Sequence, residues 1–275
     1  MAELLSGREH FGQEKQMGAD KDTNPTNPAV QEQDFLFDKS YTCPACSEKF
    51  KAKTVKNSRV KLLGSDLDLR PKYKQLELLK YDVIMCPSCG YTALSRYFSL
   101  LTALQAKKIK AEVTPPLKSQ EEKAFYTYDD ALERYKLTLA NANVKQAKSS
   151  EKAYICLKTA WLLRSKGEHM DPQADGYAEQ KKAIDEEEKE FLHNALDGFI
   201  AARQSENFPM CGMDEPTVDY LIAVLSMQFE QYDVSSKMLA GILGSYSASP
   251  RVKDKAREVK EMLVQKIKEK NAARK

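Results

Sequence analysis

The chain has 275 residues, 42% of them hydrophobic, which is enough for two small-to-medium domains with a substantial core. No apolar run approaches the roughly 18 residues of a membrane span, and "MAELLSGREHFGQEKQMGADKD" lacks the charged start and apolar stretch of a secretory signal. No membrane partner and a cytoplasmic, thiol-reducing setting are therefore expected, and a disulfide framework is disfavoured. The net charge of +3 conceals a basic segment: residues 35–112 carry fifteen basic and seven acidic side chains, while 113–275 carry twenty-five and twenty-six.

Residues 1–34 are polar, include "DKDTNPTNPAVQEQ" and show no apolar period, as expected of a flexible tail. From 35 to 97 the pattern is short and strand-like. "EKFKAK" alternates Lys49, Lys51 and Lys53 against Phe50 and Ala52, and "RVKLL" alternates Arg59 and Lys61 against Val60 and Leu62. "LKYDVIMCP" reads as a strand entering a turn. Together they predict a ribbon-like module built on a small antiparallel sheet.

From about residue 98 the period becomes helical, and residues 98–275 form an α-helical domain. "YFSLLTALQAKKIKAEV" predicts one helix stopped before Pro115 and Pro116. Ser119 with Glu122 would cap the next, whose stripe is Phe125, Tyr128, Leu132, Tyr135 and Leu139. A third helix runs from near Ser150 to Gly167, with Tyr154, Leu157 and Trp161 on one face. Asp171-Pro172 opens the fourth, which Gly176 delays; it reaches about Arg203 with Phe191, Ala195 and Phe199 as its stripe. Val218, Leu221, Leu225 and Phe229 align on a fifth, Met238, Leu239, Ile242 and Leu243 on a short sixth. Ser249-Pro250 opens the last, striped by Val252, Ala256, Val259, Leu263 and Ile267. "LIAVLSMQFEQYDVSSKMLAGIL" has the form of a tetratricopeptide unit, without a strict 34-residue period; irregular helical packing is the other reading.

Four of the six cysteines stand in two Cys-Pro-x-Cys pairs, Cys43 with Cys46 and Cys86 with Cys89. Two intervening residues let both sulfurs of a pair face one ion from a tight turn, and proline fixes φ inside it. Gly90 lets the chain leave the second turn with positive φ, while Ser47 stands at that place in the first. Two such turns supply four thiolates in a tetrahedron, the closed geometry of a structural Zn2+ site, one ion per chain. Bound so, the cation lowers the charge of residues 35–112 from +8 to about +6. A rubredoxin-like iron site uses the same four sulfurs. A thiol–disulfide centre needs one pair at a helix N-terminus, and neither pair has that setting. Cys156 reads as a buried small hydrophobe, and Cys211, in a loop, as a free thiol.

No catalytic constellation stands out, so a non-enzymatic protein is expected. Glu190 and His193 form a single Glu-x-x-His, where a di-iron bundle needs two. His10 and His169 are isolated. Asp66 and Asp68 suit a cation or, more simply, an exposed turn. Lys49, Lys51, Lys53, Lys56, Arg59 and Lys61 suit phosphate contacts, with Tyr41, Phe50 and Tyr91 as stacking faces; a small ribbon that merely exposes lysines looks the same.

"CPACSEKF", "CPSCGY", "YICLKTAWLLRSKGE" and "NFPMCGMDEPTVDYLIAVLSMQFEQYD" together resemble the bacterial domain-of-unknown-function family numbered 2225, over about residues 35–246. The resemblance implies a cysteine-paired ribbon followed by tetratricopeptide-like helices, a metal site at Cys43, Cys46, Cys86 and Cys89, and a bacterial cytoplasmic setting. It implies no assigned activity. The expected fold is thus α+β and mainly α, a small zinc ribbon followed by helix hairpins. The expected role is an adaptor that binds a protein or peptide. A nucleic-acid-binding regulator using residues 35–112 and a rubredoxin-like or thiol redox protein are the alternatives.

Overall fold

The computed structural model describes residues 32–114 and 123–273, which belong to the compact unit Glu32–Lys275. His10, the Ser119–Glu122 cap and the tail up to residue 31 lie outside the described residues. The described chain opens with a single 3-10 turn, Glu32–Phe35. The Glu32 carboxylate holds the Lys80 ammonium at 2.6 Å and accepts from the Tyr81 hydroxyl, so this turn is pinned to the ribbon.

Three separate antiparallel hairpins follow, where the alternation predicted one small sheet. Strand β1 (Leu36–Thr42) pairs with β2 (Lys49–Val55), from Leu36 opposite Val55 to Thr42 opposite Lys49. Strand β3 (Leu62–Ser65) pairs with β4 (Pro71–Tyr73), and β5 (Val83–Met85) with β6 (Thr92–Leu94). The turns of the first and third hairpins are the two cysteine pairs. The third hairpin packs against the helix Tyr128–Val144, and Tyr41, Phe50 and Ala52 of the first join a core with Ile109 and Val113. The expected strand around Arg59 and Val60 is instead a 3-10 turn, Asn57–Arg59, and β3 begins only at Leu62. Leu62 and Leu63 are exposed, so the alternation there marked no buried face.

Seven α-helices follow among the described residues. Helix α1 (Ala103–Glu112) starts six residues later than the pattern predicted. Thr102 and Gln105 make a reciprocal capping box that fixes its start, and Tyr97–Leu101 turns across the ribbon with Phe98 buried. Helix α2 (Tyr128–Val144) starts at a second box, Thr127 with Asp130. Phe125 therefore lies outside the helix and is exposed, while Leu132 and Tyr135 face the core as expected.

Helix α3 (Ser149–Glu168) precedes α4 (Tyr177–Ser205). Asp171 caps only a local turn, accepting from Gln173 N–H at 2.9 Å; Gly176, at φ 72°, is the residue before α4. These two helices approach closely: a Cβ on Gly198 would lie 2.8 Å from that of Ala153. Leu157, Leu192, Phe199 and Leu221 are among the fully buried members of the main core. Helix α5 (Glu215–Gln228) is capped by Asp214, α6 (Tyr232–Gly244) packs back on it, and α7 (Pro250–Ala272), capped by Ser249, closes this end. Tyr220, Leu239, Val259 and Leu263 form a second core there. The fold is thus α+β and mainly α, with strand pairs first and helices after. No helix among the described residues is long and apolar enough to cross a membrane.

Candidate metal centre

Each cysteine pair is the tip of a hairpin, and the two tips share one geometry. After β1, the Cys43 carbonyl accepts from Ser47 N–H at 2.8 Å, and Cys43 N–H donates to the Glu48 carbonyl at 2.8 Å. After β5, the Cys86 carbonyl accepts from Gly90 N–H at 3.0 Å, and Cys86 N–H donates to the Tyr91 carbonyl at 2.9 Å. The residue after the second cysteine is left-handed in both, Ser47 at φ 68° and Gly90 at φ 71°. Serine thus takes the conformation that glycine adopts without steric cost.

These turns bring the four sulfurs together. Cys43 Sγ lies 3.6 Å from Cys89 Sγ and Cys46 Sγ 3.6 Å from Cys86 Sγ; all four lie within 4.8 Å of one another. A tetrahedral ion with metal–sulfur bonds of about 2.3 Å sets its sulfurs about 3.8 Å apart, so the cage fits such an ion. Cys43, Cys86 and Cys89 are buried and Cys46 half-buried; none of the six cysteines is in a disulfide. Among the described residues this is the one cluster of three or more candidate ligands.

The sulfurs compete for charge. Hydrogen bonds from Cys43 and Cys89 drive the Cys86 thiol far below the usual range, while Cys43 is pushed up by Cys86 and Cys89 by Cys43. A central divalent cation removes that competition by stabilising every thiolate.

The helical body holds the second turn. Asn141 on α2, fully buried, accepts from Thr92 N–H at 3.3 Å and donates to the carbonyls of Gly90 at 3.4 Å and Leu137 at 2.9 Å. The Thr114 hydroxyl donates to the Cys89 carbonyl at 2.9 Å. Tyr91 packs 5.1 Å from the Phe98 ring, and Ile109 and Val113 of the α1 segment join the same core.

The other expected residues fall out differently. Tyr91 is fully buried and offers no stacking face; Tyr41 and Phe50 are half-buried, with ring centres 6.0 Å apart. Lys49 and Lys51 are exposed, Lys53 pairs with Asp38 at 2.7 Å, and Lys56 and Arg59 both donate to the Asp34 carbonyl. Cys156 lies in the main core, as expected. Cys211 is in a loop but buried, its thiol 3.2 Å from the Ser150 carbonyl. Burial pushes both thiols up, Cys156 to about 11, which makes them poor nucleophiles. His193 pairs with Asp197 at 3.1 Å on an exposed face, and His169 Nδ1 lies 2.8 Å from the Ser165 carbonyl.

Asp66 and Asp68 are not an exposed turn. Asp68 is 3% exposed and accepts from Trp161 Nε1 at 3.0 Å and Arg164 Nη2 at 2.8 Å. Asp66 takes Arg70 Nε at 2.6 Å and Lys72 at 2.7 Å. Arg70, itself fully buried, reaches Glu168 at 2.7 Å, and Arg164 reaches Glu188 at 2.7 Å. The acids come from the β3–β4 turn and the arginine from α3, 96 to 98 positions apart, so no local pattern announces the network.

Fold and site together define a four-cysteine ribbon carried on an α-helical body. The chain belongs to the family DUF2225, described as an uncharacterized protein conserved in bacteria, whose model matches residues 36–263. No curated protein and no solved structure matches it.

Proposed function

We propose that the chain is a non-enzymatic interaction protein of the bacterial cytoplasm, a structural zinc ribbon docked on tetratricopeptide-like helix hairpins. The observation that carries this reading is the closed cage. Four thiolates complete a tetrahedral sphere and leave no position for substrate or water. The sulfurs sit in a core shared with α1 and α2, so a metal there sets shape. Zinc suits such a role because it is redox-inert; iron in the same cage would make an electron carrier. Stacked helix hairpins present grooves that take peptide segments or partner helices.

Immobilised, metal-loaded protein exposed to a bacterial lysate is expected to retain a protein partner after nuclease treatment, and to lose it when the metal is stripped. Retention of nucleic acid alone, released steeply by salt, would favour the regulator instead. Recovery of no partner contradicts the proposal.

A further inference from the structure

We infer that the free edge of β2 is a strand-addition site for an extended acidic segment of a partner protein. This rests on the interaction-protein reading and names the chemistry of the partner.

Among the described residues, strand β2 pairs with β1 and with no other strand. Backbone hydrogen bonds join Cys43 to Glu48 at one end of the ladder and Lys56 to Phe35 at the other. Bonded pairs alternate in an antiparallel ladder, so Tyr41–Phe50, Lys39–Ala52 and Phe37–Thr54 bond across it. The N–H and C=O of Lys49, Lys51 and Lys53 therefore point away from β1. None of these groups is hydrogen-bonded to another backbone group among the described residues.

A cleft of about 450 Å³ is lined by Lys49, Phe50, Lys51, Ala52 and Lys53 without a gap, and by Met85 and Pro87 of the third hairpin. Successive side chains of a strand point to opposite faces, so a lining of five consecutive residues fits a cleft that takes in the open edge of β2. Tyr126 and Arg134 line it too, with Arg134 3.9 Å above the Tyr126 ring. Arg134, Lys49 and Lys51 make no ion pair among the described residues. The one carboxylate in the lining, Asp38, is taken by Lys53.

Among the described residues, the site thus joins an open backbone ladder to the charges of Lys49, Lys51 and Arg134, none of which is in an ion pair. An added strand would satisfy the ladder. Its alternate side chains, about 6.7 Å apart, share the spacing of Lys49 and Lys51, so carboxylates at every second position fit. Lysines also serve to keep an edge strand from pairing. That role does not account for Arg134, which is contributed by α2 and not by the strand. A second copy of the chain would set lysine against lysine.

The test uses the full, metal-loaded chain and a labelled octapeptide of alternating glutamate and valine. Binding is expected to saturate and to weaken with salt. It should fall tenfold or more for the peptide N-methylated throughout, and for Lys51→Glu and Arg134→Glu variants that melt at the wild-type temperature. Amide exchange at Lys49, Lys51 and Lys53 should slow on binding, while Phe50, Ala52 and Thr54, already bonded to β1, stay unchanged. Equal binding of the methylated peptide, no binding at all, or competition by oligothymidylate without edge protection overturns the inference. If a lysate partner still binds Lys51→Glu undiminished, the interaction reading stands and only this location falls.

Discussion

Asn141 sits where the helical body grips the cage. Its amide serves both Gly90 and Thr92, the residues that shape the exit from the second cysteine turn. Partners of this kind orient metal ligands, and removing one typically costs 10–100-fold in affinity. Asn141→Ala is therefore expected to weaken metal binding by about 10–100-fold in competition with a chromophoric chelator. Cys156→Ala, in the main core and away from the cage, should leave affinity unchanged. Equal affinities for Asn141→Ala and wild type would show that α2 does not support the turn. The cysteines themselves were legible in the sequence because proline and two-residue spacing are local signals. Asn141 was not, because it meets its partners across 49 and 51 residues of chain.

Among the elements, the β3–β4 turn is clamped to α3 by Asp66, Asp68, Arg70, Arg164 and Glu168. Burial pushes the Asp66 carboxyl up, but Lys72 and Arg70 outweigh it and hold it below the ordinary 3.8. A depressed carboxyl contributes stability that is complete above its unfolded value and is lost as the pH falls through the folded one. Glu188 is shifted the other way, raised first by burial, and gives the opposite slope. Denaturant unfolding between about pH 5 and pH 3 should therefore show wild-type stability falling more steeply than that of Asp66→Asn. Parallel profiles would mean that the clamp is not ionic at Asp66. The helices were legible from their apolar period, and so were the starts of α3 near Ser150 and of α7 at Ser249-Pro250 and the delay of α4 by Gly176, whereas the starts of α1 and α2 were not. Thr102 and Thr127 each decide a boundary by a reciprocal capping box, which periodicity does not register. The "RVKLL" alternation misled because it marks no buried face: Arg59 ends a 3-10 turn, and Leu62 and Leu63, which open β3, face solvent.

At the scale of the whole molecule, ribbon and helices share a core. Phe98 packs against Tyr41, Phe50 and Tyr91, while Ile109, Val113, Leu137 and Val144 bring α1 and α2 to the cage. Sequence marked a change of period near residue 97, yet burial runs across it. A change of period reports local backbone geometry and says nothing about which side chains meet. Loss of the metal should accordingly loosen α1 and one face of α2 along with the ribbon. A zinc ion held by the four cysteines would contribute on the scale known for isolated zinc-finger peptides, about 10–16 kcal/mol. The most direct test of this account is metal content, with an absorption spectrum, of protein prepared without added metal. The account predicts one zinc per chain and a colourless solution. Iron with visible thiolate absorption, or a stably folded chain that holds no metal, would contradict it.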